Sequence, residues 1–202
     1  MEFRKILLMR FAQKLASLII LLGGAVVPNS VPASRSLTCQ TVLIVGDSLA
    51  VGMGSEFFKL AASDHGNAIP AGIVGTTTCQ WRGKVLPLVK RHHPSLVLIS
   101  LGTNDAAILA QDPAWLSGNE SCYDDVQNEA ISHGSKVIWI LPPRLPSKLE
   151  ASRSKVVQQI NRVNSSNYDL HHIEVTRAAD GIHTTPQGYA SWALAVWTWW
   201  NE

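Results

Sequence analysis

Apolar residues along this chain fall into two alternating kinds of segment. Short runs rich in β-branched residues occur at 41–45 (TVLIV), roughly 68–74, 96–101 (LVLISL), 137–141 (VIWIL) and 172–175, and each reads as a strand. Three of them, at 41–45, 96–101 and 137–141, are apolar at nearly every position instead of every second one, as in strands covered on both faces. Between the runs lie longer segments with apolar positions at helical spacing, at 50–62, 80–92, 122–132, 148–164 and 186–200. Helix-between-strand repetition predicts a three-layer α/β/α sandwich around a five-stranded parallel sheet. No repeat or linker divides it, and Pro142-Pro143-Arg144-Leu145-Pro146 reads as a turn at a strand exit. The last helical segment carries Trp192, Trp197, Trp199 and Trp200; Trp192 and Trp199 share a stripe with Tyr189 and Val196 that is expected to pack on the sheet. An exposed aromatic platform for a sugar or a lipid interface is the alternative.

A different pattern opens the chain. Residues 1–14 hold Arg4, Lys5, Arg10 and Lys14 against Glu2 alone, and an apolar run, LASLIILLGGAVV, follows at 15–27. That run is shorter than the ~20 residues a membrane span needs. With the small-residue exit Val31-Pro32-Ala33 it predicts a secretory signal peptide over 1–33 and a mature domain over 34–202, hence a secreted or periplasmic protein without stable membrane insertion after cleavage. An uncleaved anchor is the alternative; lipidation of Cys39 fits poorly, because Ser36-Leu37-Thr38 is a weak lipobox.

Composition narrows the class of partner. With 202 residues, 46% hydrophobic and 16% charged, the chain can bury one sizeable core. Its net charge of +2 originates in the leader, so the body is close to neutral. A neutral body without clustered Lys and Arg argues against nucleic acid and for a small uncharged substrate. The adjacent pairs His92-His93 and His171-His172 cannot both face one ion from a regular strand, and the three cysteines lie far apart, so no metal site is expected.

In an open parallel sheet, ligands bind beyond the carboxyl ends of the strands, which directs attention to the strand exits. These are Gly46-Asp47-Ser48-Leu49, Gly75-Thr76-Thr77, Gly102-Thr103-Asn104-Asp105 and Asp180-Gly181-Ile182-His183. On one edge they would assemble a hydroxyl, a backbone amide behind a glycine, a carboxamide, and a carboxylate with an imidazole, the set that acyl transfer requires. A serine hydroxyl is a weak nucleophile until a base takes its proton, and an imidazole can take it and return it to the leaving group. That imidazole needs a carboxylate to fix its tautomer, and the oxyanion needs preorganised donors. Three residues apart on a tight turn, Asp180 and His183 emerge on the same face. Asp47 and Asp105 are expected to hold loop amides and helix starts.

The four blocks, in this order, resemble the SGNH hydrolase superfamily, also called the GDSL esterases and lipases, from Val42 to Tyr189. The resemblance implies a flavodoxin-like SGNH hydrolase fold and an ester hydrolase needing no metal or organic cofactor. It implies Ser48 as nucleophile, His183 as base and Asp180 as its orienting acid, with an oxyanion hole from the amides of Ser48 and Gly75 and the Asn104 side chain. Ala50 stands where a serine is frequent, and Thr184-Thr185-Pro186 follows His183 where some members have proline at once. Both departures bear on specificity. The pocket is expected to be shaped by Thr76, Thr77, Ile182, Thr184 and the 106–121 loop, and the few insertions favour small acyl groups. A small-molecule ester, or a glycan ester cleaved by a carbohydrate or peptidoglycan O-acetylesterase, are the candidate substrates; a glycan-binding module without catalysis is the competing class. An α/β-hydrolase is a third reading that the sequence speaks against, because Ala50 breaks G-x-S-x-G, and Gly52-Met53-Gly54 lacks the third glycine of a nucleotide loop.

The cysteines can then be placed. Cys79 lies four residues past Gly75 and Cys122 opens the helix after the loop from Asn104, so both sit near the active-site edge, whereas Cys39 precedes the first strand at the opposite edge. A Cys79–Cys122 disulfide is therefore expected to tie the two donor loops together.

Overall fold

The computed structural model describes residues 40–64 and 66–202, and the predicted leader and Cys39 lie outside them. Its strands are β1 (Thr41–Gly46), β2 (Asn67–Pro70), β3 (Leu96–Ser100), β4 (Lys136–Leu141) and β5 (Asn167–Asp169). All pair in parallel, in the order β2-β1-β3-β4-β5. This is the flavodoxin-like order, whose connections diverge between β1 and β3. The helices are α1 (Ser48–Ser63), α2 (Val85–His92), α3 (Thr103–Leu109), α4 (Ser121–Ile131), α5 (Ser147–Val163) and α6 (Pro186–Asn201).

Alternate residues of the central strands serve two cores, which explains why their apolar runs are continuous. Val42, Ile44, Leu96, Leu98, Ile138 and Ile140 pack under α1 and α6. Leu43, Val45, Val97, Ile99, Val137 and Trp139 pack against α2, α3, α4 and α5. Each such side chain gains about 1.5–3 kcal/mol on leaving water, so polar residues are excluded from both faces. On α6 the stripe follows Trp192, Ala193 and Val196, with Trp197 and Trp200 half-buried. Trp199, expected within the stripe, is instead 40% exposed and leans on Tyr168 at the sheet edge, 5.2 Å between ring centres.

Three expected elements are displaced. The last strand is Asn167–Asp169, not 172–175, because it pairs with β4 through Trp139, Ile140 and Leu141; an edge strand this short needs no apolar run. The segment at 172–175 alternates because Ile173 and Val175 rest on the core without pairing. The second strand stops at Pro70; Ala71 and Ile73 still donate to the Ile44 and Gly46 carbonyls, but as a loop that carries Gly72 over the first turn of α1. The helix expected at 80–92 opens as a single 3₁₀ turn, Cys79–Trp81, and becomes α2 only at Val85, because Gly83 at φ +74° turns the chain between them. The β3 exit carries a helix of seven residues, α3, outside the five expected helical segments but consistent with a helix start at Asp105.

Two tertiary contacts organise the edge that matters. Cys79 and Cys122 form a disulfide with Cα atoms 4.9 Å apart. Asp105, fully buried at the start of α3, accepts from the Thr78 amide at 3.2 Å and from the Tyr123 hydroxyl at 3.0 Å. Together they fasten the 71–79 loop to α3 and α4. Among the described residues no helix is long and apolar enough to cross a membrane.

Candidate active site

Ser48 is placed by the tight passage from β1 into α1. Gly46 allows it: at φ +149° a Cβ there would stand 2.0 Å from the Ser100 carbonyl oxygen of β3. Asp47 then caps α1, its Oδ1 accepting from the Leu49 amide at 2.9 Å. Ser48 is thus the first helical residue, and its amide belongs to the turn whose N–H groups have no acceptor within the helix.

His183 arrives on the turn that leads into α6. Asp180 Oδ1 accepts from the Ile182 and His183 amides at 2.9 and 3.0 Å, and Gly181 at φ +70° closes the turn. The other carboxylate oxygen, Oδ2, lies 2.5 Å from His183 Nδ1. His183 Nε2 stands 2.8 Å from Ser48 Oγ across 135 residues of sequence. The hydrogen bond from His183, with the Ile182 amide adding, holds the Asp180 carboxyl down at about 2, so it is ionised in all but strongly acidic solution. An ionised carboxylate only accepts; Nδ1 therefore carries the proton and Nε2 is left to accept from the serine hydroxyl.

Asn104 is in the first turn of α3, one residue beyond Thr103, and its Nδ2 donates to the Thr76 carbonyl at 3.0 Å. One amide hydrogen thus orients the side chain, and the second is available to a ligand. Gly75 adopts φ +77° with open space where a Cβ would be, next to the residue that Asn104 holds. Ser48, the 75–76 segment and Asn104 therefore share the rim above β1 and β3.

The four residues expected to shape the pocket divide. Thr76 Oγ1 donates to Ile73 O and accepts from Trp81 Nε1, Thr77 bonds Gln80 through its amide, and Thr184 Oγ1 donates to Thr176 O at 2.6 Å. All three are buried, so their hydroxyls serve the loops. Ile182 instead lines a cavity of about 470 Å³ with Asp180, Ala107, Ala110 and Leu149. A larger cavity, about 600 Å³ between α2 and α4, holds none of these residues; there Glu129 caps α2, accepting from the Gly83, Val85 and Leu86 amides. Among the described residues no three His, Cys, Asp or Glu side chains converge to hold a metal ion.

Residues 44–191 match the model of the GDSL-like lipase/acylhydrolase family. The chain belongs to that family. Esterase TesA of Pseudomonas aeruginosa is 28% identical over 132 residues, which span 58% of this chain and 64% of that protein. Among solved structures, LAE5, an alpha/beta hydrolase enzyme from the metagenome of Lake Arreo, superposes with a TM-score of 0.65 at 15% identity, covering 81% of this chain and 96% of its own. Axe2, an acetylxylan esterase from Geobacillus stearothermophilus, does so with a TM-score of 0.62 at 17% identity, covering 79% and 93%. These likenesses establish the SGNH hydrolase-like fold.

Asp47 has an unusual state beside the site. It is wholly buried, its Oδ2 has no hydrogen-bond partner, and loss of solvent pushes its carboxyl up to about 7, with repulsion from Asp105 contributing. The raised value means that the folded protein binds a proton the unfolded chain has released. Stability associated with Asp47 is therefore greatest at low pH, declines as pH rises from about 4 to 7, and stays low above that. Asp47→Asn keeps an oxygen for the Leu49 amide and never ionises. In urea unfolding it is expected to exceed wild type by about 1–3 kcal/mol at pH 8 and to keep only about a third of that advantage at pH 5. An advantage unchanged between the two pH values would contradict this state for Asp47.

Proposed function

We propose that this chain is a serine esterase that hydrolyses carboxylic esters of small acyl groups through an acyl-enzyme. The reading is carried by one observation, Ser48 Oγ 2.8 Å from a His183 ring whose other nitrogen faces Asp180. Ser48 Oγ attacks the ester carbonyl carbon as its proton passes to His183 Nε2, and the carbonyl oxygen becomes an oxyanion facing Asn104 Nδ2 and the Ser48 and Gly75 amides. Collapse breaks the carbon–oxygen bond to the alcohol, which leaves with the proton from His183. Water then gives its proton to His183 and attacks the acyl carbon, releasing acid and free Ser48. Asp180 stays charged throughout and stabilises the imidazolium.

Small acyl groups are favoured by the short connections around the open site. The fold likeness to an acetylxylan esterase supports acetyl esters on a polysaccharide as the particular case. The basic and apolar pattern of residues 1–33, and a disulfide in the domain, support an exported protein.

A fluorophosphonate probe tests the reading directly. It is expected to add one covalent group per chain, on the peptide containing Ser48, and none to Ser48→Ala. An unlabelled wild type would instead indicate a glycan-binding module. Faster turnover of acetyl than octanoyl esters is expected, and acetylated xylan against acetylated peptidoglycan then separates the two polymer substrates.

A further inference from the structure

Arg177 precedes Asp180 by three residues, and its guanidinium donates its hydrogen bonds to backbone carbonyls and not to the Ser48, Asp180 or His183 side chains. Its Nη1 donates to the Ile182 carbonyl at 2.8 Å, and its Nη2 to the Arg144 carbonyl at 3.3 Å. The guanidinium carbon lies 4.7 Å from the ring centre of Trp192, a side chain with no solvent exposure. One residue thus joins three places: the carbonyl immediately before His183, the connection from β4 to α5, and the core face of α6.

Besides Arg177, the turn is held by Ile182, which packs against the core, and by Thr185, which caps α6 directly after it. The side chains of His183 and Asp180 are 39% and 47% exposed, so apolar burial contributes little to their placement. Within the turn, Asp180 binds the Ile182 and His183 amides, Ala178 donates to the His183 carbonyl, and Arg177 forms an isolated antiparallel bridge with Thr184. Those bonds fix the shape of the 177–184 loop. They do not fix where the loop stands relative to Ser48, which belongs to a different helix. Thr184 helps through its bond to Thr176, but Thr176 lies on the same segment. Arg177 adds a side-chain hydrogen bond from this loop to the β4 exit and a contact with the core face of α6.

We propose that Arg177 is a positioning residue for hydrolysis, which helps set the distance between His183 and Ser48 by anchoring the Ile182 carbonyl while its guanidinium lies over the Trp192 ring. The inference rests on the reading of His183 as the base. A planar fork that stacks and donates in two directions suits this task; a lysine ammonium offers a point charge on a flexible stem and cannot do both. Misplacement of a reacting group by ~1 Å can cost ~100-fold in rate, so even modest slack in the loop is felt in the chemical step.

Arg177→Gln and Arg177→Lys, with wild type and Ser48→Ala alongside, test this on p-nitrophenyl acetate, with melting to report the fold and fluorophosphonate titration to count competent sites. Both variants are expected to melt cooperatively and to label completely but slowly. Their kcat is expected to fall about 10- to 100-fold with KM within about twofold of wild type. Lysine is expected to restore little, since charge alone is not what is missing. Should the glutamine variant melt too low to assay, the lysine variant decides on the same two constants. An unchanged kcat, a rise in KM alone, or a fall in the fraction of sites that label at an unchanged rate would each overturn the proposal, the last by assigning Arg177 to folding only. Activity remaining in Ser48→Ala would instead overturn the hydrolytic reading itself, so the two failures are distinguishable.

Discussion

Ser48→Ala is expected to lower kcat for p-nitrophenyl acetate by about 10⁴- to 10⁶-fold, with a melting temperature close to that of wild type. The size follows from the chemistry: without Oγ there is no acyl-enzyme, and what remains is the modest acceleration from oxyanion donors and binding. The intact fold follows from the local structure. Ser48 is the first residue of α1, the cap is made by the neighbouring Asp47, and the bond lost is the one to a half-exposed His183. His183→Ala is expected to fall by a similar factor, and the double variant no further, because nucleophile and base act as one unit. Additive losses in the double variant would show that the two residues serve separate roles.

Asn104→Ala is expected to lower kcat by about 10²- to 10³-fold, with a much smaller change in KM, because a donor aimed at the oxyanion acts mainly in the transition state. The side chain is held for this by its bond to Thr76 O, which leaves an amide hydrogen on the rim that Ser48 shares. Truncation also removes that donor from the Thr76 carbonyl, so the loop bearing Gly75 loses one tether while keeping the Asp105 and disulfide ties. Slow but complete fluorophosphonate labelling of Asn104→Ala would match a lost oxyanion donor. Labelling as fast as wild type would remove Asn104 from the hole and leave it as a loop tether.

Much of the candidate site could be read from the chain because its units are local. The turn at 180–183 is closed by bonds between residues two and three apart, and the cap of α1 by Asp47 and Leu49, so each forms from its own few residues. Both-face burial made β1, β3 and β4 readable for the same reason, since an unbroken apolar run is a local signal. The edge was less legible. Strand β5 is Asn-Tyr-Asp, three half-buried residues that acquire strand character only by lying beside β4, and nothing in their composition announces it. Helix α3 is short and follows Gly102 at φ +109°, where a Cβ would meet Val156 of α5 at 2.8 Å, a constraint visible only once α5 has packed there.

Tyr123 and Arg177 escaped the sequence reading for a related reason. A tyrosine on a helix and an arginine before a turn are ordinary residues until their partners are known. Tyr123 meets Asp105 across 18 residues, and Arg177 meets Arg144 across 33.

By itself, then, the amino-acid order determined the chemical groups and the small turns that present them, because propensity and hydrogen bonds between near neighbours suffice for both. Only the tertiary structure decided that Ser48 and His183, 135 residues apart, stand 2.8 Å from each other. That distance follows from the strand order of the sheet, from α6 packing beside α1, and from side chains such as Arg177 that tie one loop to another. Such arrangements arise from many distant burials acting together, and no short stretch of sequence contains them.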